Sequence, residues 1–333
     1  MREPLAAEPR VGFSVRGVGA VAAHEFRLRI RAGRWRWLLG GWFAALFVFT
    51  SALRAGMGRA GQDSPGSDMF GGLVLVMLAL ALLVVPALTA QSINGDRERG
   101  VLAILQTTLL TPAEIALGKL AAAWGTALMF IITALPIVLW CVIEGASLWR
   151  AFIALAVMAL LFGVMCAIAQ CMSSLLARST TSAVLSYLAV FALTVGTVIV
   201  FAMVVTLSRA ADSPPTEDVV SANSYPAGAW MLVAPNPFVI VADAAPRAPA
   251  GGATESDADS VRLDTLSTIA DAVRSLRSTE VVMEDGSVRR TGEDPVWPFG
   301  LITNVVIGAG AVALTTYRLR TPSARLPRLV RVA

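Results

Sequence analysis

The chain has almost no lysine or histidine, little cysteine, and few charges of either sign. Of its 27 basic residues only Lys119 is a lysine, and His24 is the one histidine in 333 residues. A Ser/His catalytic pair or a histidine-built metal site therefore has little to draw on. The three cysteines, Cys141, Cys166 and Cys171, all fall inside apolar runs. They offer no disulfide framework. Cys166 and Cys171 lie five apart and point to different helix faces, so no metal site is expected from them either. A P-loop requires Gly-Lys followed by Ser or Thr. The sole lysine follows Gly118 but precedes Leu120, so the chain is expected to bind no ATP of its own and to be no enzyme by itself.

What the chain has instead is apolar length. Hydrophobic residues make up 56% of it and charged residues 15%, where soluble domains carry roughly a quarter charged residues. The mean hydropathy is +0.68. Crossing a hydrocarbon core of about 30 Å takes about 20 apolar residues in helix. Six stretches qualify: 35–53, 71–91, 117–142, 151–176, 182–207 and 296–317. A central arginine would cost about 2.5–3.5 kcal/mol of insertion free energy, and these stretches have no charge at their centres. A proton- or ion-coupled carrier normally needs such intramembrane charges.

Arginine placement orients the spans. Arg27, Arg29, Arg31, Arg34 and Arg36 precede the first, and Arg318, Arg320, Arg325, Arg328 and Arg331 follow the last. Both termini are therefore expected in the cytoplasm of a multi-pass protein of the bacterial inner membrane. The fold class expected is all-α integral membrane, with an even count of six helices. The basic ends need only lipid headgroups as partners and no nucleic acid.

The connection over 208–295 is expected outside the cytoplasm and differs from everything around it. It holds fourteen acids and seven arginines. Within it, 226–244 is nearly long enough to span, but Pro235 and Pro237 break the helical ladder. It reads as a broken helix that either dips into the outer leaflet or lies on it. Residues 246–260 have a linker's composition. Leu266, Ile269, Val273 and Leu276 share one helical face within 261–277. Asp285-Gly286 between valine-rich flanks reads as a hairpin turn. The segment is either a small cap or an acidic loop without a core.

The connection between the second and third spans carries the most information. Asp96-Arg97-Glu98-Arg99-Gly100 is followed by an apolar stretch, Val101 to Leu110, too short to span. Val101, Leu102, Ile104, Leu105 and Leu109 fall on one side of a helix, as in an element packed on a surface. Thr111-Pro112-Ala113-Glu114 then reads as a capping box with proline at the first helical position. In the fourth span Gln170, Ser173 and Ser174 read as interhelical hydrogen-bonding groups or as candidate cavity-lining residues.

These residues carry a family resemblance. Glu98, Arg99, Gly100, Leu102, Leu105, Thr107, Thr108, Leu110, Thr111, Pro112, Glu114, Ile115, Gly118 and Lys119 resemble, in order and spacing, the signature of ABC-2-type exporter permeases. Val101 stands where that family commonly has threonine. The arginine-rich stretch with Glu25-Phe26 is similar to the family's amphipathic elbow helix, and Asn236-Pro237-Phe238 to an outer-face segment.

The resemblance implies a permease that pairs with a second identical or homologous permease subunit and docks two copies of a separate ATPase subunit. That ATPase would bind the ATP and Mg²⁺. The loop 92–116 would be the coupling loop, with Asp96, Arg97, Glu98 and Arg99 as polar contacts and Val101, Leu102 and Leu105 as packing anchors. The cargo would be hydrophobic or amphipathic.

The expected organisation has five parts: a cytoplasmic segment and elbow over 1–34, spans one to five over 35–207, the acidic loop or cap over 208–295, span six over 296–317, and a basic tail over 318–333. The rival expectation is a membrane anchor or sensor whose outer cap binds a ligand.

Overall fold

The computed structural model of the protein describes residues 12–31, 33–59, 65–98, 100, 110–211, 226, 228–245, 264–277, 279–282, 288–291 and 294–320. Among them, six helices are long and apolar enough to cross a membrane, making this a multi-pass membrane protein. In chain order the helices are α1 (Val15–Arg31), α2 (Arg34–Arg59), α3 (Gly66–Thr89), α4 (Asn94–Glu98), α5 (Pro112–Ile143), α6 (Leu148–Leu175) and α7 (Ser179–Phe191). A π-helical turn, Ala192–Gly196, joins α7 to α8 (Thr197–Ala211). There follow α9 (Trp230–Val233), α10 (Pro237–Ala244), α11 (Thr265–Ser275) and α12 (Trp297–Leu319). The spans are α2, α3 running on through α4, α5, α6, α7 with α8, and α12.

The departure from helix among the described residues is one antiparallel hairpin. Strands β1 (Thr279–Val282) and β2 (Val288–Thr291) pair Val282 with Val288; the turn expected at Asp285-Gly286 lies outside the described residues. The helix expected within 261–277 forms as α11, and Leu266 and Val273 are buried along its inner face.

The core lies where α3, α5 and α6 meet, with α12 laid along α6. Phe70, Leu73, Met77, Leu78, Phe130 and Leu161 are all fully buried there. Small residues permit the approach: Gly308 of α12 sits on Val164, and Gly163 sits on Trp124, whose indole N–H donates to the Ala159 carbonyl at 2.8 Å. Only 17% of the apolar window of α2 and 11% of that of α7–α8 is buried within the chain. Those two spans are therefore the periphery of the bundle. Trp42 ties α2 to the core, stacking edge-on against Phe130 at 4.8 Å and donating its N–H to the Phe130 carbonyl at 3.1 Å.

At one end of the bundle, here the Glu144 end, polar groups close the helix connections. Arg54 of α2 pairs with Glu144 at 3.0 Å. Gly66 opens α3 against the backbone of Cys141 and Ala146, where a Cβ would come within 2.6 Å. The 226–244 segment breaks between α9 and α10, as its two prolines require, and it is packed into protein. Ile240 and Val241 are fully buried, and Gly300 of α12 leaves no room for a Cβ against Ala234.

Asn236 caps α10 and also donates to the Thr194 carbonyl in the π turn at 2.6 Å and to the hydroxyl of Thr197, at the start of α8, at 3.0 Å. Non-helical backbone at membrane depth persists only where protein satisfies it in this way.

One carboxylate organises this end. Asp243 on α10 is buried, accepts from Arg274 of α11 at 2.5 Å, and accepts from the amides of Val296 and Trp297 at 2.6 and 2.8 Å. It thereby joins α10, α11 and the start of α12. A second ion pair, Arg150 to Asp264 at 2.6 Å, fixes the N-cap of α11 to the start of α6. Replacing Asp243 with alanine leaves Arg274 and two helix-start amides without their acceptor. The expected cost is about 3 kcal/mol, in the range for breaking a buried pair. Thermal unfolding in detergent and the rate of proteolysis within 246–263 measure it. An unchanged melt with unchanged cleavage would refute the role given to Asp243.

Candidate functional site

The opposite end, here the Lys119 end, is built from helices longer than a bilayer requires. Helix α5 has 32 residues, about 48 Å at 1.5 Å per residue. Only about 30 Å of that is hydrocarbon thickness, which leaves roughly twelve residues over. The span beginning at Gly66 runs to Glu98 over 33 residues and has a similar excess.

Helix α1 packs against the surplus length of α5. Ser14 lies at Glu114, Val21 at Gly118, Glu25 at Lys119, Phe26 at Gly125 and Arg29 at Thr126. Both chains advance together along this series, so the helices run side by side in the same direction. Gly118 makes the approach possible, since a Cβ there would come within 2.6 Å of Val21.

Glu114 locks the start of this pair. The capping box forms as expected: the Thr111 hydroxyl accepts from the Glu114 amide, and Glu114 accepts from the Thr111 amide at 2.6 Å. Its other oxygen accepts from the Ser14 amide at 2.6 Å, at the start of α1. A buried carboxylate thus sits where the unpaired amides of two helix N-termini converge.

Five residues further on, the Lys119 ammonium, almost fully buried, pairs with Glu25 of α1 and Asp96 of α4. Arg29 adds a fourth charge and donates to the Thr126 hydroxyl at 3.4 Å. Burial lowers its affinity for the proton below the ordinary arginine value, and Glu25 and Asp96 work against that. Two acids and two bases make the cluster neutral, which reduces the cost of withdrawing them from water.

Helix α4 is held from its other side as well. The Ser173 hydroxyl accepts from the amides of Ile93 and Asn94 at 3.1 Å each. Arg97 donates to the Leu176 carbonyl at 3.4 Å, and Glu98 accepts from the Ser179 amide at 3.4 Å. Gly100 closes the turn with φ of +73°, a left-handed conformation that favours glycine, its amide donating to the Arg97 carbonyl.

Among the residues singled out from sequence, Asp96 turns inward onto Lys119, whereas Arg97 and Glu98 are exposed. Arg99, Val101, Leu102 and Leu105 lie outside the described residues. Thr111, Pro112 and Glu114 form the cap described above. Gln170, Ser173 and Ser174 are buried and bonded within the bundle: Gln170 donates to the Ala116 carbonyl at 2.8 Å and Ser174 to the Cys171 carbonyl at 2.8 Å. A groove of about 390 Å³ opens elsewhere, between α3 and α7, lined by Leu82, Leu83, Tyr187, Val190, Phe191 and Phe238 among others.

The partnership of Glu25 and Lys119 is the feature the sequence did not single out. A signal for it exists: a lone lysine in a chain of arginines, on the polar margin of an apolar helix, needs an acid from another element. No protein-family model matches the chain, and no curated protein compared with it matches significantly.

Substituting Lys119 with methionine leaves Glu25 and Asp96 facing each other across an apolar side chain. The expected loss is about 3 kcal/mol of stability, read as a lower melting temperature and faster tryptic cleavage at Arg27 and Arg31. Adding Glu25→Gln to Lys119→Met should restore part of the loss, the coupling expected of residues in contact. Strictly additive losses would mean that the two do not interact.

Proposed function

We propose that the chain is the membrane-spanning permease subunit of an ATP-driven exporter, working as a pair of permeases with two copies of a separate ATPase. Arginine-rich flanks assign the Lys119 end to the cytoplasm and the capped Glu144 end to the outside. The observation that carries the reading is the fixed stalk at the Lys119 end. A linker between two spans needs only a few residues and no buried charges. Here α1, α4 and the start of α5 are joined by Glu114 and Lys119, and the stalk presents Arg97 and Glu98 to solvent. Such an element suits the transfer of force from a protein partner into α3 and α5.

The resemblance of 98–119 to ABC-2-type permeases supplies the partner's class. ATP and Mg²⁺ belong to that partner, since the chain has no P-loop. The weakly buried faces of α2 and α7–α8 offer apolar surface for the second permease. The apolar groove beside α7 favours a hydrophobic or amphipathic cargo. The competing reading, a sensor reporting on its outer cap, draws on the clasp of Arg150 to Asp264. It predicts no ATPase in the complex.

Gentle extraction of the tagged chain should bring an ATPase subunit with it. Exchanging the exposed charges, as Arg97→Glu with Glu98→Arg, should weaken that association by about tenfold or more, with only a small drop in melting temperature from the loss of their 3.4 Å bonds to Leu176 and Ser179. An ATPase that never accompanies the chain would overturn the exporter reading. For orientation, single cysteines placed at Asp294 and Arg320 should react with an impermeant maleimide from opposite sides. The three native cysteines are buried and should stay silent. Labelling from the same side would show the crossing count to be wrong.

A further inference from the structure

We propose that the corner between α1 and α2 binds the headgroup phosphate of anionic phospholipids. The inference rests on the membrane-spanning reading and not on an ATPase partner. Arginines in this stretch face two ways. Arg29 turns inward toward Thr126 and the Glu25–Asp96 pair of acids. Arg27 and Arg31, one helical turn apart, share the opposite face. They are exposed, as is Arg36 just past the turn into α2, and none of the three has an ion-pair partner among the described residues. The acid on this part of α1, Glu25, is occupied by Lys119. The corner therefore carries three uncompensated positive charges.

Apolar side chains stand among them. Trp37 is 84% exposed, and Leu28 and Ile30 are also exposed. Cations interleaved with tryptophan and aliphatic groups suit the boundary between acyl chains and headgroups. The height of the corner agrees. Arg29 lies beside Thr126, and Trp35 packs on Phe130 at 5.6 Å. From Thr126 to the polar closure at Glu144 is about 27 Å along α5 at the usual rise, close to one hydrocarbon thickness. The start of α1, beside Glu114, lies roughly 18 Å further out. The corner is thus at headgroup level while the rest of α1 leaves the membrane with the stalk. A protein partner docked at the end of the stalk would not need to cover it.

The test uses the full chain reconstituted in phosphatidylcholine vesicles containing phosphatidylglycerol, with bromine on the acyl chains of one lipid or the other. Trp37 fluorescence is isolated by subtracting the signal of the Trp37→Phe variant. Brominated phosphatidylglycerol should quench Trp37 with a relative affinity at least about fivefold above that of brominated phosphatidylcholine, the effect of about one arginine at an anionic surface. The preference should vanish in Arg27→Gln/Arg31→Gln/Arg36→Gln. It should survive in Arg178→Gln/Arg318→Gln, which removes exposed arginines elsewhere.

Equal quenching of the unmodified chain by both lipids would overturn the proposal without recourse to any variant. So would an equal loss in the Arg178/Arg318 variant, which would mean a diffuse surface potential. Quenching by neither lipid would mean that protein covers the corner, and would also overturn it.

Discussion

The Lys119 end depends on one buried ammonium. Without Lys119, Glu25 and Asp96 would repel each other, and α1 and α4 would have no ionic connection through α5. Apolar packing of Val21 on Gly118 brings α1 close, but packing is tolerant of sliding along a smooth groove. The charged contacts are not. They fix α1 in register with α5 at Glu114 and again at Lys119, five residues apart. Two fixed points on one pair of helices define a direction, and α4 takes its position from the second of them.

The same logic governs the other end with the charges reversed. There the hub is a carboxylate, Asp243, reached by a guanidinium and by two helix-start amides. Between the two hubs the helices are almost wholly apolar. Many polar groups in that interval are satisfied within the bundle, as when the Tyr187 hydroxyl donates to the Leu83 carbonyl at 2.8 Å, whereas Thr50 Oγ1, Gln170 Oε1 and Asn304 Oδ1 are buried without a hydrogen-bond partner among the described residues. Specificity is therefore concentrated at the ends, where ion pairs and helix caps set register, while the middle provides area. A membrane enforces this division, because hydrocarbon offers neither partner nor water to a misplaced charge.

The sequence made the spans legible because hydropathy is additive along a helix and needs no knowledge of neighbours. All six stretches form helices, most of them longer than their apolar cores, because polar ends such as Asp68 and Glu114 also continue the helix. Local signals were equally readable: the Thr111 capping box, the break at Pro235 and Pro237, and the apolar face of α11 are each encoded within about ten residues. Long-range pairing was not. Glu25 and Lys119 lie 94 positions apart, Arg150 and Asp264 lie 114 apart, and nothing in either partner's neighbourhood names the other. Asp96 illustrates the limit. Its position beside Arg97 and Glu98 made it one of a run of surface charges, yet on a short helix one of three consecutive residues must point inward. The side that faces α5 is set by the docking of Ser173 onto the amides of Ile93 and Asn94.

Rigid ends restrict where the bundle can deform. Ion-pair hubs resist small displacements, so change in this fold is expected by whole helices moving, or at places where the helical ladder is already irregular. Pro86 interrupts α3 one turn before its end, and Pro136 interrupts α5 within its final third. The third irregularity is the π turn at Ala192–Gly196, where the widened helix leaves the Thr194 carbonyl to accept from the Asn236 side chain. That turn lies in the span least buried by the rest of the chain, next to the apolar groove, and is latched to the segment that also carries Asp243. Helix α4 meets α3 and α5 on the Lys119 side of their prolines. The segment that carries Asp243 meets α7–α8 through Asn236. The two hubs thus contact different spans, and those spans adjoin at the apolar interface of α3 with α7.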